Sequence, residues 1–167
     1  MNRISLLAGA AALVAGGCTT VEPIDYARAL CDPFPRDEFS ACASRVIDHY
    51  RAMAIEPDLP FGYSTAGPFA LAVGDALYLG SYHSDPFALY FRAEDGANAC
   101  RGAYDAFAGS RSPVLEIHCD DGSRGAGELV LDRKGRNGVG DVEFDDGRRG
   151  RLVFGHGAVG GLTDEGR

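Results

Sequence analysis

Residues 113–154 read PVLEIHCDDGSRGAGELVLDRKGRNGVGDVEFDDGRRGRLVF. Asp121-Gly122, Lys134-Gly135 and Asp146-Gly147 punctuate this stretch at steps of 13 and 12 residues. Glycine after a short polar residue supplies the positive φ that tight hairpin turns require. Between the turns apolar and charged side chains alternate. Leu115, Ile117 and Cys119, then Leu129 and Leu131, then Val142 and Phe144 share one face. Glu116, Glu128, Asp141 and Glu143 take the other. A period of two residues marks strands buried on one side, and the turn spacing marks a β-meander.

Working toward the N-terminus, strands are expected at 69–73, 76–83 and 87–92, followed by 113–119, 126–132, 138–144 and 149–154. Residues 97–110 fit either a short helix carrying Tyr104 and Phe107 or a further strand. Residues 57–68 hold three prolines and two glycines, the composition of a loop. Before it Phe39, Cys42, Ala43, Val46, Tyr50 and Met53 recur at steps of three or four, which predicts one amphipathic helix. Pro35 suits its first turn, Asp37 and Glu38 complement the helix dipole there, and Pro57 ends the segment by restricting Glu56. Residues 24–31 fit a helical turn interrupted by Asp32-Pro33-Phe34-Pro35. The expected fold is α+β and mainly β: an N-terminal amphipathic helix packed on an antiparallel meander sheet or partial barrel.

The chain has 167 residues, 46% of them hydrophobic and 24% charged, which suits one globular domain. Its net charge is -8. Nucleic-acid binding needs clustered cations to displace counterions from phosphates, so this balance argues against it. Lys134 is the only lysine.

Residues 1–17 have a cationic start at Arg3, an apolar run from Ile4 to Val14 and then Ala15-Gly16-Gly17 before Cys18. The run is shorter than the roughly 20 apolar residues that span a bilayer, and it has the outline of a signal peptide. Small residues directly before a cysteine resemble the lipobox of the bacterial lipoprotein class. The resemblance covers residues 1–18 only, and Ala15 stands where that class most often has leucine. It implies cleavage before Cys18, a diacylglyceryl group on its sulfur, and an acyl chain such as palmitate on the new amine. Two or three chains hold a protein at a membrane, because each buried methylene contributes roughly 0.8 kcal/mol. Thr19, where members retained at the inner membrane carry aspartate, implies sorting to the outer membrane facing the periplasm. The resulting layout is a signal peptide over 1–17, an acylated tether over 18–23, one domain over 24–154 and a flexible Gly-rich tail over 155–167.

With Cys18 acylated, Cys31, Cys42, Cys100 and Cys119 remain, an even number in an oxidising compartment. Of three connectivities, Cys31 with Cys42 and Cys100 with Cys119 is favoured, because each pair brackets a short segment. No two cysteines stand at the spacing of a zinc site.

Tyr78 and Tyr82 share one face of a strand and could stack a sugar ring or cover an apolar side chain, although a core role competes with that. Arg124, Arg133, Lys134, Arg136, Arg148, Arg149 and Arg151 sit in or beside the hairpin turns and could meet an anionic lipid or glycan. Interleaved acids favour a mixed, solvated surface instead. The doublets Asp120-Asp121 and Asp145-Asp146 are explained by turn chemistry without calcium. Ser81, His83 and Asp85 alternate on one strand, where neighbours seldom converge as a catalytic triad must. His49, His118 and His156 stand alone. No cofactor, metal or catalytic residue is assigned. The expected role is noncatalytic binding or scaffolding at the envelope, through the membrane anchor and an envelope protein or glycan, with Tyr78, Tyr82, Arg148, Arg149 and Arg151 as contacts. The alternative is a periplasmic hydrolase using His83 or a metal.

Overall fold

The computed structural model describes residues 23–53, 65–84, 88–105, 114–131 and 137–155. The leader, Cys18 and its tether, the Lys134-Gly135 turn and residues 156–167 of the Gly-rich tail lie outside them.

Two helices come first, α1 over Pro23–Cys31 and α2 over Arg36–Ala52. Eight strands follow: β1 Thr65–Val73, β2 Ala76–Ser84, β3 Ala88–Glu94, β4 Ala99–Asp105, β5 Val114–Cys119, β6 Arg124–Leu131, β7 Gly138–Phe144 and β8 Arg149–Phe154. Each pairs antiparallel with the next, and β8 returns to β1 with Phe69 opposite Phe154, so the barrel is closed. This corrects the expectation of an open meander sheet or partial barrel. Closure pairs the two edges that an open sheet would leave unsatisfied.

The strand pattern explains why closure is hard to read. Phe69, Leu71 and Val73 point into the barrel, while Ala70 and Ala72 face outward into a second apolar layer. That layer contains Tyr26, Ala27, Leu30, Val46 and Tyr50 of the helices, together with Leu77 and Val153 of β2 and β8. β1 is thus buried on both faces and reads as an unbroken apolar run, without the alternation of β5 or β7. Cys42, Ala43, Val46 and Tyr50 form the buried stripe of α2, as its periodicity predicts, while Phe39 and Met53 are half-buried.

Residues 65–68, assigned above to a loop, extend β1 across a proline. Pro68 accepts a hydrogen bond from Gly155 N–H, so its carbonyl faces the β8 side. In a strand a residue's N–H and C=O point the same way, and the β1–β8 ladder begins only at Phe69. The missing N–H therefore interrupts no pairing.

Residues 99–105 are strand, with Cys100, Gly102 and Tyr104 on the inward phase. The short turns match their residue chemistry. Gly122 and Gly147 have φ of 87° and 84°, and in both turns the glycine N–H donates to a carbonyl three residues back, Cys119 and Phe144 respectively.

Candidate functional site

The barrel interior holds a cluster of buried apolar side chains, including Phe69 and Phe91 stacked at 4.0 Å between ring centroids. Tyr78 and Tyr82 belong to this interior, 5% and 3% exposed. They do share a face of β2, but it is the inner one, which corrects their placement as a contact platform. Burial raises the Tyr78 hydroxyl above its usual range, opposed by a hydrogen bond with the Asn98 side chain.

The outer wall has the opposite character. Arg92, Glu94, Arg101, Glu116, His118, Arg124, Glu128, Asp141, Glu143, Arg149 and Arg151 are all exposed. Away from the helices the described outer wall is therefore mainly charged, with Tyr90, Val114 and Val130 exposed among these residues, whereas a membrane-spanning barrel carries an apolar outer band. No described helix is long and apolar enough to cross a membrane.

Two of the turn arginines, Arg148 and Arg151, are held by carboxylates. Arg148 Nε donates to Asp146 Oδ2 at 2.7 Å, and its guanidinium lies 5.3 Å from the Phe144 ring centroid. Arg151 Nε donates to Asp141 Oδ1 at 2.9 Å across the β7–β8 ladder, and Arg149 stands opposite Glu143. The acidic doublets serve the turns. Asp121 accepts from the Ser123 hydroxyl and N–H, and Asp146 from the Arg148 N–H; these bonds hold both carboxyls below the ordinary carboxylate range. Among the described residues, no group of three or more His, Cys, Asp or Glu side chains could hold a metal ion. Arg133, Lys134 and Arg136 lie outside the described residues.

Ser81 and His83 are exposed on the outer face of β2, with His83 opposite Tyr90 of β3. Asp85 and His156 lie outside the described residues. Cys31 and Cys42 are bridged with Cα atoms 5.9 Å apart, and Cys100 and Cys119 with Cα atoms 4.0 Å apart. The first bridge ties α1 to α2 and the second spans neighbouring strands inside the barrel.

His49 is a contact that the sequence could not reveal, because its partner is a backbone atom of a distant strand. Its Nε2 lies 2.8 Å from the Gly80 carbonyl oxygen, holding α2 to β2. Desolvation lowers its pKa from 6.5, only partly offset by the backbone bonds to Gly80 and Phe69. The folded chain therefore holds this proton less tightly than the unfolded chain. Stability is expected to fall as pH drops below about 6.5 toward the lower folded pKa. Urea unfolding of the native chain and a His49→Gln variant checks this: the variant should lose less stability over that window, and parallel pH profiles would refute it.

No family model and no curated protein matches this chain. Among solved structures it is similar to designed barrels. A de novo designed fluorescence-activating β-barrel shares 18% identity with it at a TM-score of 0.44, over 60% of this chain and 99% of that one. The redesigned barrels mFAP1 and mFAP0, both bound to DFHBI, share 11% and 12% identity at a TM-score of 0.43 each. Each match covers 54% of this chain, and 91% and 94% of those chains respectively.

Proposed function

We propose that this chain is a bacterial envelope lipoprotein. Its barrel is a noncatalytic binding or scaffolding module, held by acyl chains on Cys18 at the periplasmic face of the outer membrane. The observation that carries this reading is the cysteine arrangement. Two bridges use Cys31, Cys42, Cys100 and Cys119, and the fifth cysteine is Cys18 behind its run of small residues. Bridges of this kind persist in an oxidising compartment. A charged outer wall suits a barrel that stands in water beside a membrane, so that attachment falls to the lipid.

Fractionation of native and Cys18→Ala protein tests the anchor. The native protein should sediment with membranes and yield an intact mass that lacks residues 1–17 and includes acyl chains. The variant should become soluble or stay as uncleaved precursor. Equal fractionation with an unmodified residue 18 in the native mass would overturn the reading.

A further inference from the structure

We infer that Arg92, Arg101 and Arg124, with His118 between them, form a basic stripe that binds a linear anionic polysaccharide. The four residues make one rung across the outer wall. Arg92 stands opposite Arg101, Arg101 opposite His118, and His118 opposite Arg124, with Ser81 extending the rung beside Arg92. All five are exposed. Neighbouring strands lie about 4.8 Å apart, so the four basic residues span about 14 Å. Arg92 and Arg101 are like charges directly opposite each other, an arrangement that disfavours pairing, and both side chains are exposed.

Their partners set them apart from Arg148 and Arg151; Arg149, which also has no carboxylate at ion-pair distance among the described residues, stands on β8 away from the rung. Arg148 and Arg151 each hold an aspartate closely, at 2.7 and 2.9 Å. Arg101 reaches Asp120 only at 3.6 Å, with both side chains exposed. Among the described residues neither Arg92 nor Arg124 has a carboxylate at ion-pair distance. Guanidinium groups in this state are available to bind carboxylate or phosphate through two parallel hydrogen bonds.

The rows on either side define the shape of the ligand. Glu94 and Asp120 lie two residues along the same outer face toward the turns, and Glu116 lies two residues away on the other side. A flat anionic bilayer would meet these acids together with the arginines. A chain one unit wide can follow the rung and avoid them. Tyr90, 54% exposed and two residues from Arg92 on the same face, offers an aromatic plane on which a sugar can stack.

The stripe also lies toward the end opposite the proposed anchor, a point that rests on the lipoprotein reading. Cys31 is bridged to Cys42 and Tyr26 stacks on Tyr50, so α1 and α2 run antiparallel. The Tyr50 hydroxyl donates to the carbonyl of Val153, near the end of β8 remote from the 145–148 turn. Pro23 therefore enters toward the end opposite that turn. The rung lies next to the turn end, on strands across the barrel from β8 and β1, where the helices sit. Residues 18–22 reach at most about 17 Å, so on that reading the anchored end of the barrel is the one opposite the stripe.

The test uses acylated full-length protein in phosphatidylcholine vesicles. The probe is fluorescent oligogalacturonate, with a neutral oligosaccharide of equal length as control. Oligogalacturonate should bind in a salt-sensitive way, and the combined Arg92→Gln, Arg101→Gln and Arg124→Gln variant should bind it at least about tenfold more weakly. Arg92→Glu alone should lose several-fold, while Arg149→Gln should change little. The inference is overturned if the triple variant, with an unchanged unfolding midpoint, binds like the native protein, or if the neutral control binds equally. It is also overturned if the triple substitution instead reduces attachment of the Cys18→Ala chain to phosphatidylglycerol vesicles. Binding by the Cys18→Ala chain in solution supports the stripe, and an unmodified Cys18 in native material would then remove the anchor alone.

Discussion

Replacing Gly80 by alanine should destabilise the barrel by about 3 kcal/mol or more, at or beyond the upper end of ordinary overpacking. Gly80 lies on the inward phase of β2 between Tyr78 and Tyr82 and pairs with Ala93. A Cβ there would land on the Arg92 carbonyl oxygen and 2.5 Å from the Ala93 Cα. Both are backbone atoms of the adjoining strand, so no rotamer change relieves the overlap, and β2 and β3 must move apart. The displacement would reach α2, because His49 is held to the Gly80 carbonyl at 2.8 Å. Urea unfolding and near-ultraviolet circular dichroism measure the effect. A Gly74→Ala variant separates the two roles glycine can play. A Cβ at Gly74 meets nothing within 4 Å, but the residue has φ of 59°, so its cost is conformational and should be smaller, about 1 kcal/mol. Equal losses at the two positions would contradict the close-approach account of Gly80.

The same strand shows how much of this fold is legible in sequence. From β5 to β7 alternation is clean, because one face meets the barrel interior and the other meets water; Leu115, Ile117, Val142 and Phe144 can be assigned inward and Glu116, Asp141 and Glu143 outward. In β1 and β8 the helices cover the outer face, alternation fades, and the sequence loses the information that these two strands pair. β4 is ambiguous because Gly102 interrupts its apolar phase. Period two places Tyr78 and Tyr82 on a common face of β2, correctly, but it cannot say which face is the inside of a closed barrel. The basic rung is illegible for a related reason. Arg92, Arg101, His118 and Arg124 are far apart in the chain, and only the register between four strands aligns them. The disulfide pairs are accessible, since both are local.

Removing both disulfides should lower stability by about 6 kcal/mol, the largest effect expected of any change that leaves the strand register intact; each bridge should contribute about 3 kcal/mol by restricting the unfolded chain. The bridges close loops with sequence separations of 11 and 19 residues. They lie in different cores, one between the helices outside the barrel and one between β4 and β5 inside it, so their effects should add. Against a total of about 5–15 kcal/mol for a small domain, a loss of that size is a large fraction of the fold's stability. The measurement is urea unfolding of the native chain with and without reductant, beside the variants Cys31→Ala with Cys42→Ala and Cys100→Ala with Cys119→Ala. The inner pair should cost more than its loop length alone implies, because Cys100 and Cys119 are buried in the barrel core and truncation leaves space that Phe91 and Ile117 cannot fully close. The outer pair should instead loosen α1 from α2 first, exposing Tyr26 and Tyr50. A midpoint unchanged by reductant would mean that packing alone holds the barrel. A large drop would make the fold depend on the compartment: made in a reducing cytosol, the same chain would be marginal, and export would supply the missing stability through the two bridges.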